Sequence, residues 1–208
     1  MNRALDEQFM RRAIAVARAR LGRTWPNPVV GCVIARGDEV LIETATADGG
    51  RPHAEEQALA AIGEAARGAT VYVTMEPCGQ RSTDTPSCSE RLALAGVGRV
   101  VIAADNPSHL SSGRGLIRLQ AAGVPVESGF LAEEAAPLYR AFRHKVSTGL
   151  PLVEAAATGE GFDTRFEAEP GDDLPNALSR YGRAGYTRLW VEPATDLAKR
   201  LKELGLLA

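Results

Sequence analysis

The chain has 208 residues, 45% of them hydrophobic and 24% charged, and a formal net charge of −2. That length suits one domain of about 150 residues with an addition, able to bury roughly 70% of its unfolded surface without covalent staples. The apolar content excludes intrinsic disorder, and 24 basic against 26 acidic residues give no field for gripping a nucleic-acid backbone. No apolar run reaches the ~18 residues of a membrane span. The start, Asn2-Arg3-Ala4-Leu5-Asp6-Glu7, lacks a leader's apolar core. Three cysteines are too few for a disulfide framework, so a soluble, cytoplasmic, reduced protein is expected.

Residues 6–21 read as a helix, because Phe9, Ala13, Ile14, Val16, Ala17 and Leu21 recur near helical spacing. Gly22 and the Trp25-Pro26-Asn27-Pro28 run forbid its continuation. Residues 29–36 and 39–46 are strand-like and flank the Gly37-Asp38 turn pair, which predicts a hairpin. A helix is expected over 53–65 and a strand over 70–74, then a polar loop and a helix over 87–95. Further along, strands are expected over 99–104 and 125–128, and helices over 114–122 and 131–142. This order predicts a layered α/β sheet with helices on its faces. Residues 158–175, rich in glycine, proline and acids, read as a loop or linker. A strand over 188–191 and a helix over 197–204 then form one strand–helix unit, too small to stand alone.

Three residues carry the chemistry. His53 opens a helix, Cys78 follows a strand end, and Cys88 begins the next helix. One imidazole and two thiolates make a three-ligand zinc site, which keeps a fourth position for water. Glu55, two residues after the histidine, can face that position without ligating, and carry a proton to a leaving amine. His-x-Glu, then Pro-Cys, then a further Cys is the order found in zinc deaminases of nucleobases. There the cysteines are two residues apart; here nine intervene. Cys32 lies among Val30, Val33 and Ile34 and reads as a core residue. His109 and His144 read as surface residues, although the loop of His109 is placed to reach the site.

Taken together, Thr24-Trp25-Pro26-Asn27-Pro28-Val29-Val30-Gly31, His53-Ala54-Glu55, Met75-Glu76-Pro77-Cys78 and Thr85-Pro86-Ser87-Cys88 resemble the deaminase half of the bifunctional riboflavin-biosynthesis deaminase/reductase. The resemblance runs through Arg99-Val100-Val101-Ile102-Ala103-Ala104-Asp105-Asn106-Pro107 and Ala121-Ala122-Gly123-Val124-Pro125-Val126, covering residues 5–150. It implies a cytidine-deaminase-like three-layer α/β/α fold with a mixed sheet of about five strands, and a small strand–helix appendage at the C-terminal side. It further implies one catalytic zinc, a homodimer or higher oligomer, and hydrolytic removal of an amino group from a diaminopyrimidine ribosyl phosphate. By the same resemblance Asn27 contacts the pyrimidine, with Arg81 and Thr85 in the substrate loop; from the residues alone, Asn27 reads as a plain turn residue, and Arg81 equally as a phosphate contact or a solvated loop residue.

The loop Gly79-Gln80-Arg81-Ser82-Thr83-Asp84-Thr85-Pro86-Ser87 is one residue longer than the family pattern and has Gln80 in place of a histidine. That change leaves two alternatives open: a deaminase of another nucleobase, nucleoside or tRNA base, and a silent paralogue serving as a scaffold. The expected boundaries are a deaminase domain over 1–147 and a vestigial reductase-like segment over 148–208. In that segment Ala156 stands where the family has an active-site lysine, and Pro193 where a glycine pair approaches a phosphate. No reductase activity and no nicotinamide binding are therefore expected of it.

Overall fold

The computed structural model describes residues 2–81, 85–108, 111, 113–169 and 171–208. Helix α1 (Arg3–Arg18) starts earlier than its apolar spacing suggests. The Asn2 side chain accepts from the Ala4 N–H and caps the first turn. The chain continues through β1 (Gly31–Arg36), β2 (Glu39–Ala45), α2 (Ala54–Ile62), β3 (Thr70–Met75) and α3 (Cys88–Leu94). Then come β4 (Arg99–Ala104), α4 (Arg114–Ala121), β5 (Val126–Ser128) and α5 (Ala132–Thr148). The first sheet has the order β2-β1-β3-β4-β5. β1 runs antiparallel to both its neighbours, whereas β3, β4 and β5 are parallel.

Alternation along the strands sorts the core into two layers. Val33, Ala35, Tyr72, Val101 and Ala103 pack against Phe9 and Met10 of α1 and Tyr139 of α5. Their strand neighbours Cys32, Ile34, Val71, Val73, Val100 and Ile102 face α2, α3 and α4 through Ala58, Leu92 and Leu119. Each fully buried large side chain contributes roughly 1.5–3 kcal/mol. The result is the α/β/α sandwich with a mixed five-stranded sheet that the sequence predicts. Loops leaving the C-terminal ends of the parallel strands β3 and β4 gather at one edge, where open α/β sheets place their ligands.

The C-terminal part is larger than its sequence pattern suggests. β6 (Leu152–Ala155), β7 (Thr164–Arg165) and β8 (Arg188–Val191) form a second, all-parallel sheet in the order β6-β8-β7. Helices α6 (Leu174–Arg183) and α7 (Asp196–Glu203) accompany it. Residues 158–175, expected as loop, thus hold β7 and the start of α6. A two-residue strand has no period to read, whereas α6 carries a start signal in Asp173, whose side chain accepts from the Asn176 N–H. Phe166, Leu174, Leu178, Leu189 and Leu201 form a core of this unit's own.

The two units touch closely. Trp25 packs against Tyr186 with ring centroids 4.3 Å apart and the planes tilted by 38°. Glu154 of β6 accepts from Arg140 of α5 at 3.0 Å and from Arg188 of β8 at 2.6 Å. At Gly22, with φ +78°, a Cβ would lie 2.3 Å from the Phe162 carbonyl oxygen, so only glycine admits that backbone contact. No helix among the described residues is long and apolar enough to cross a membrane.

Candidate metal centre

Three elements deliver the donors. His53 is the N-cap of α2, and its extended backbone leaves the imidazole free to turn toward the β3–α3 loop. Two bonds fasten the start of that helix to β2. Thr44 Oγ1 donates to the Ala54 carbonyl at 2.8 Å, and Gln57 Nε2 to the Ala45 carbonyl at 2.6 Å. Cys78 follows β3 and is tied to the first turn of α3. The Ser89 N–H and hydroxyl both donate to its carbonyl, at 3.2 and 3.0 Å. The Cys88 N–H donates to Cys78 Sγ at 3.2 Å, so the helix start also faces the sulfur. Ser87 caps α3 by accepting from the Glu90 N–H, which fixes Cys88 at its first position.

His53 Nδ1 lies 3.9 Å from Cys78 Sγ and 3.4 Å from Cys88 Sγ, and the three donor atoms fall within 4.8 Å of one another. Tetrahedral zinc with ordinary bond lengths would set nitrogen and sulfur about 3.6 Å apart. The soft N/S donor set and its spacing therefore fit zinc, with one coordination position left over. His53 Nε2 is buried without a hydrogen-bond partner among the described residues. Hydrogen bonding from Cys88, aided by His53, brings the Cys78 thiol down to about 4. The same bond, with burial, pushes Cys88 up.

Glu55 sits in the first turn of α2, only 3% exposed. Burial raises its carboxyl above the usual carboxylate range, although His53 opposes the shift. It shares one cleft of about 760 Å³, open to solvent at its mouth, with His53, Cys78, Asn27, Arg81 and Asn106. Asn27 Nδ2 donates to the Gly50 carbonyl at 3.0 Å. The structure therefore brings His53, Cys78, Cys88 and Glu55 together, with Asn27 on the facing wall.

Arg81 is not a solvated loop residue. Its side chain is 5% exposed; it donates to Glu56 at 2.7 Å and lies 3.9 Å from Cys88 Sγ. Thr85, expected to face the substrate, is absent from the cleft lining and lies in a shallower depression with Gly79, Ser87 and Arg118. Cys32 lies outside the donor group and is wholly buried in β1. His144 is half-buried on α5, away from the donors. His109 and Ser82, Thr83 and Asp84 lie outside the described residues.

Sequence reasoning missed three cleft residues. Glu76 is buried and accepts from the N–H groups of Gly113, Gly115 and Leu116 at 3.1, 3.0 and 3.2 Å. It thereby draws the start of α4 over the cleft. Asn106 donates to the Glu76 carbonyl at 3.4 Å. Arg51 is exposed and joins the cleft lining. The Glu76-Pro77-Cys78 run is the only signal that marked the first of them; its partners are more than thirty residues away in the chain.

Residues 3–104 match the family described as the cytidine and deoxycytidylate deaminase zinc-binding region. The chain is 41% identical over 167 residues to riboflavin biosynthesis protein RibD of Escherichia coli, a match spanning 80% of this chain and 45% of that protein. It thus spans less than half the length of that relative. Among solved structures, Acinetobacter baumannii RibD superposes with a TM-score of 0.82 at 25% identity, covering 99% of this chain and 85% of that one. A Thermotoga maritima diaminohydroxyphosphoribosylaminopyrimidine deaminase/5-amino-6-(5-phosphoribosylamino)uracil reductase gives 0.67 at 33% identity, covering 78% and 44%.

Proposed function

From the match of residues 3–104 to the cytidine and deoxycytidylate deaminase zinc-binding region we propose that the chain deaminates a diaminopyrimidine ribosyl phosphate of riboflavin biosynthesis. One observation carries the reading: a His53/Cys78/Cys88 donor cluster with a buried carboxylate, Glu55, in the same cleft. The names of the relatives supply the substrate class.

His53, Cys78 and Cys88 would hold the zinc, which supplies a polarised water of lowered pKa at its open position. Glu55 takes a proton on its carboxylate and hands it to the departing amine, so the leaving group is ammonia rather than an amide anion. Asn27, with Nδ2 committed to Gly50, offers Oδ1 to a ring N–H of the pyrimidine. Arg81 is paired with Glu56 beside Cys88, which leaves Arg51 as the cation for a phosphate at the mouth. The apolar lining of buried Met75 and half-buried Phe142 keeps bulk water from the ring.

The test is ammonia release from zinc-loaded protein over a panel of aminopyrimidine ribosyl phosphates, nucleosides and free bases. Turnover of the diaminopyrimidine ribosyl phosphate is expected. Turnover confined to cytidine-type nucleosides or free bases would overturn the substrate, and none at all would overturn the activity.

We propose further that the C-terminal unit binds no nicotinamide cofactor. Pro193 removes an amide donor at the turn after β8, and the Thr195 hydroxyl already accepts from Ala198 at the start of α7. Titration with NADPH should show no saturable micromolar change in its fluorescence; saturable binding would reverse this reading.

A further inference from the structure

Asn27 lies between two cavities. One is the cleft above; the other opens between the two sheets, where Thr24, Asn27 and Phe142 meet Leu152, Asp163 and Arg188. The turn that carries Asn27 closes on itself through two bonds and is tied to residues 46–50 by two more, Asn27 Nδ2 to the Gly50 carbonyl at 3.0 Å and Thr46 Oγ1 to the Pro28 carbonyl at 3.3 Å. The Asn27 N–H donates to the Thr24 carbonyl at 3.1 Å, and Thr24 Oγ1 to the Asn27 carbonyl at 3.2 Å. Its outer face is covered by the C-terminal unit.

That cover is an aromatic ladder rooted in the second core. Phe166 contacts Tyr181 at 5.3 Å between centroids, Tyr181 contacts Tyr186 at 5.6 Å, and Tyr186 packs at a tilt against Trp25 at 4.3 Å. Gly185, with φ +105°, lets the ladder approach, since a Cβ there would lie 3.0 Å from Pro26 Cβ. Beside it, Glu154 accepts from Arg140 of α5, the helix whose Phe142 lines both cavities together with Asn27. The Asn27 turn and the helix that carries Phe142 are therefore both contacted from outside the deaminase sheet.

We propose that the C-terminal unit is a positioning element for deamination: the Tyr186–Trp25 ring contact presses the turn at residues 24–28 onto its bonds to residues 46–50 and so sets the place of Asn27 against the pyrimidine. Paired aromatic rings fix direction as well as distance, and a shift of about 1 Å in a substrate-holding group is enough to weaken catalysis sharply. Tyr186 and Trp25 touch no reacting atom; they act through Asn27. The inference rests on the reading of Asn27 as a pyrimidine contact.

The experiment compares Tyr186→Ala and Trp25→Ala with Tyr186→Phe and Trp25→Phe in the full zinc-loaded chain. Both alanine variants should raise KM for the diaminopyrimidine ribosyl phosphate about tenfold while kcat stays within about twofold. Zinc content should not change, and the phenylalanine variants should restore KM. Amide hydrogen exchange over residues 22–31 should quicken in the alanine variants, and over 99–104 it should not. Should Tyr186→Ala disturb the second core, Trp25→Ala decides, because it leaves that core untouched. An unmoved KM, or a loss confined to kcat, overturns the proposal. If the wild-type chain deaminates no aminopyrimidine, the functional reading fails by itself. Exchange over 22–31 then still judges the brace, and no change there overturns it.

Discussion

On the function proposed above, Glu55 serves turnover and not metal binding, since the three donors are complete without it. Glu55→Ala should therefore retain one zinc per chain by elemental analysis and lose about 10²–10⁴ in rate; near-normal ammonia release would place the proton elsewhere. Asp6 shows what a single carboxylate does for the fold. It accepts from the Tyr72 hydroxyl at 2.6 Å and from Arg99 at 2.9 Å, and Arg99 also reaches Glu127. Burial works to raise its carboxyl, but the Arg99 and Tyr72 hydrogen bonds outweigh burial and hold it below the usual range. A folded value below the unfolded one, about 3.9, means that the stabilisation is full above that pH and is lost as pH falls through the folded value. Asp6→Asn should cost about 2–3 kcal/mol in denaturant unfolding at pH 7, and the gap to wild type should close below about pH 4. Nothing local in the sequence announces this pair, whose members lie 66 and 93 positions from Asp6.

Helix α4 begins at Gly113 without a side-chain cap of its own, and Glu76, from the end of β3, serves in its place. A carboxylate there both satisfies three N–H groups and complements the helix dipole. Glu76→Ala should lower stability by about 2–3 kcal/mol. It should also raise KM, because the loop after β4 loses its tether; a thermal midpoint equal to wild type would contradict the assignment. Elements of this kind divide by how local their determinants are. α1, the β1–β2 hairpin and β4 were readable because their apolar periods are complete within one segment. His53, Glu55, Cys78 and Cys88 were readable because residue type and order already describe the chemistry. β7 was not, since two residues paired only with β8 carry no period. α6 was passed over although Leu174, Ala177, Leu178 and Tyr181 recur at helical spacing, because the preceding glycines and acids masked its cap. The direction in which Arg81 turns, toward Glu56 rather than outward, depends on α2 and is invisible in its own loop.

At the scale of the molecule, the donors join the start of α2 to both ends of the β3–α3 loop, so a bound metal ties together parts of the chain that packing alone brings near. Binding to the folded form alone stabilises by about 4 kcal/mol at a thousandfold excess over Kd. Chelator treatment should lower the thermal midpoint and stoichiometric zinc should restore it; identical midpoints would mean that the cluster holds no ion. The second sheet follows a different logic. β8 lies at its centre, and β6 and β7 pair with β8 and not with each other. As the chain leaves the ribosome, β6 and β7 emerge first and have no strand to join until residues 188–191 have been made. The sheet is thus closed by its last strand, in one late step, while the earlier five-stranded sheet can already assemble. Tyr186 lies two residues before β8, so Trp25 has no ring partner until a residue 161 positions further along the chain has been made.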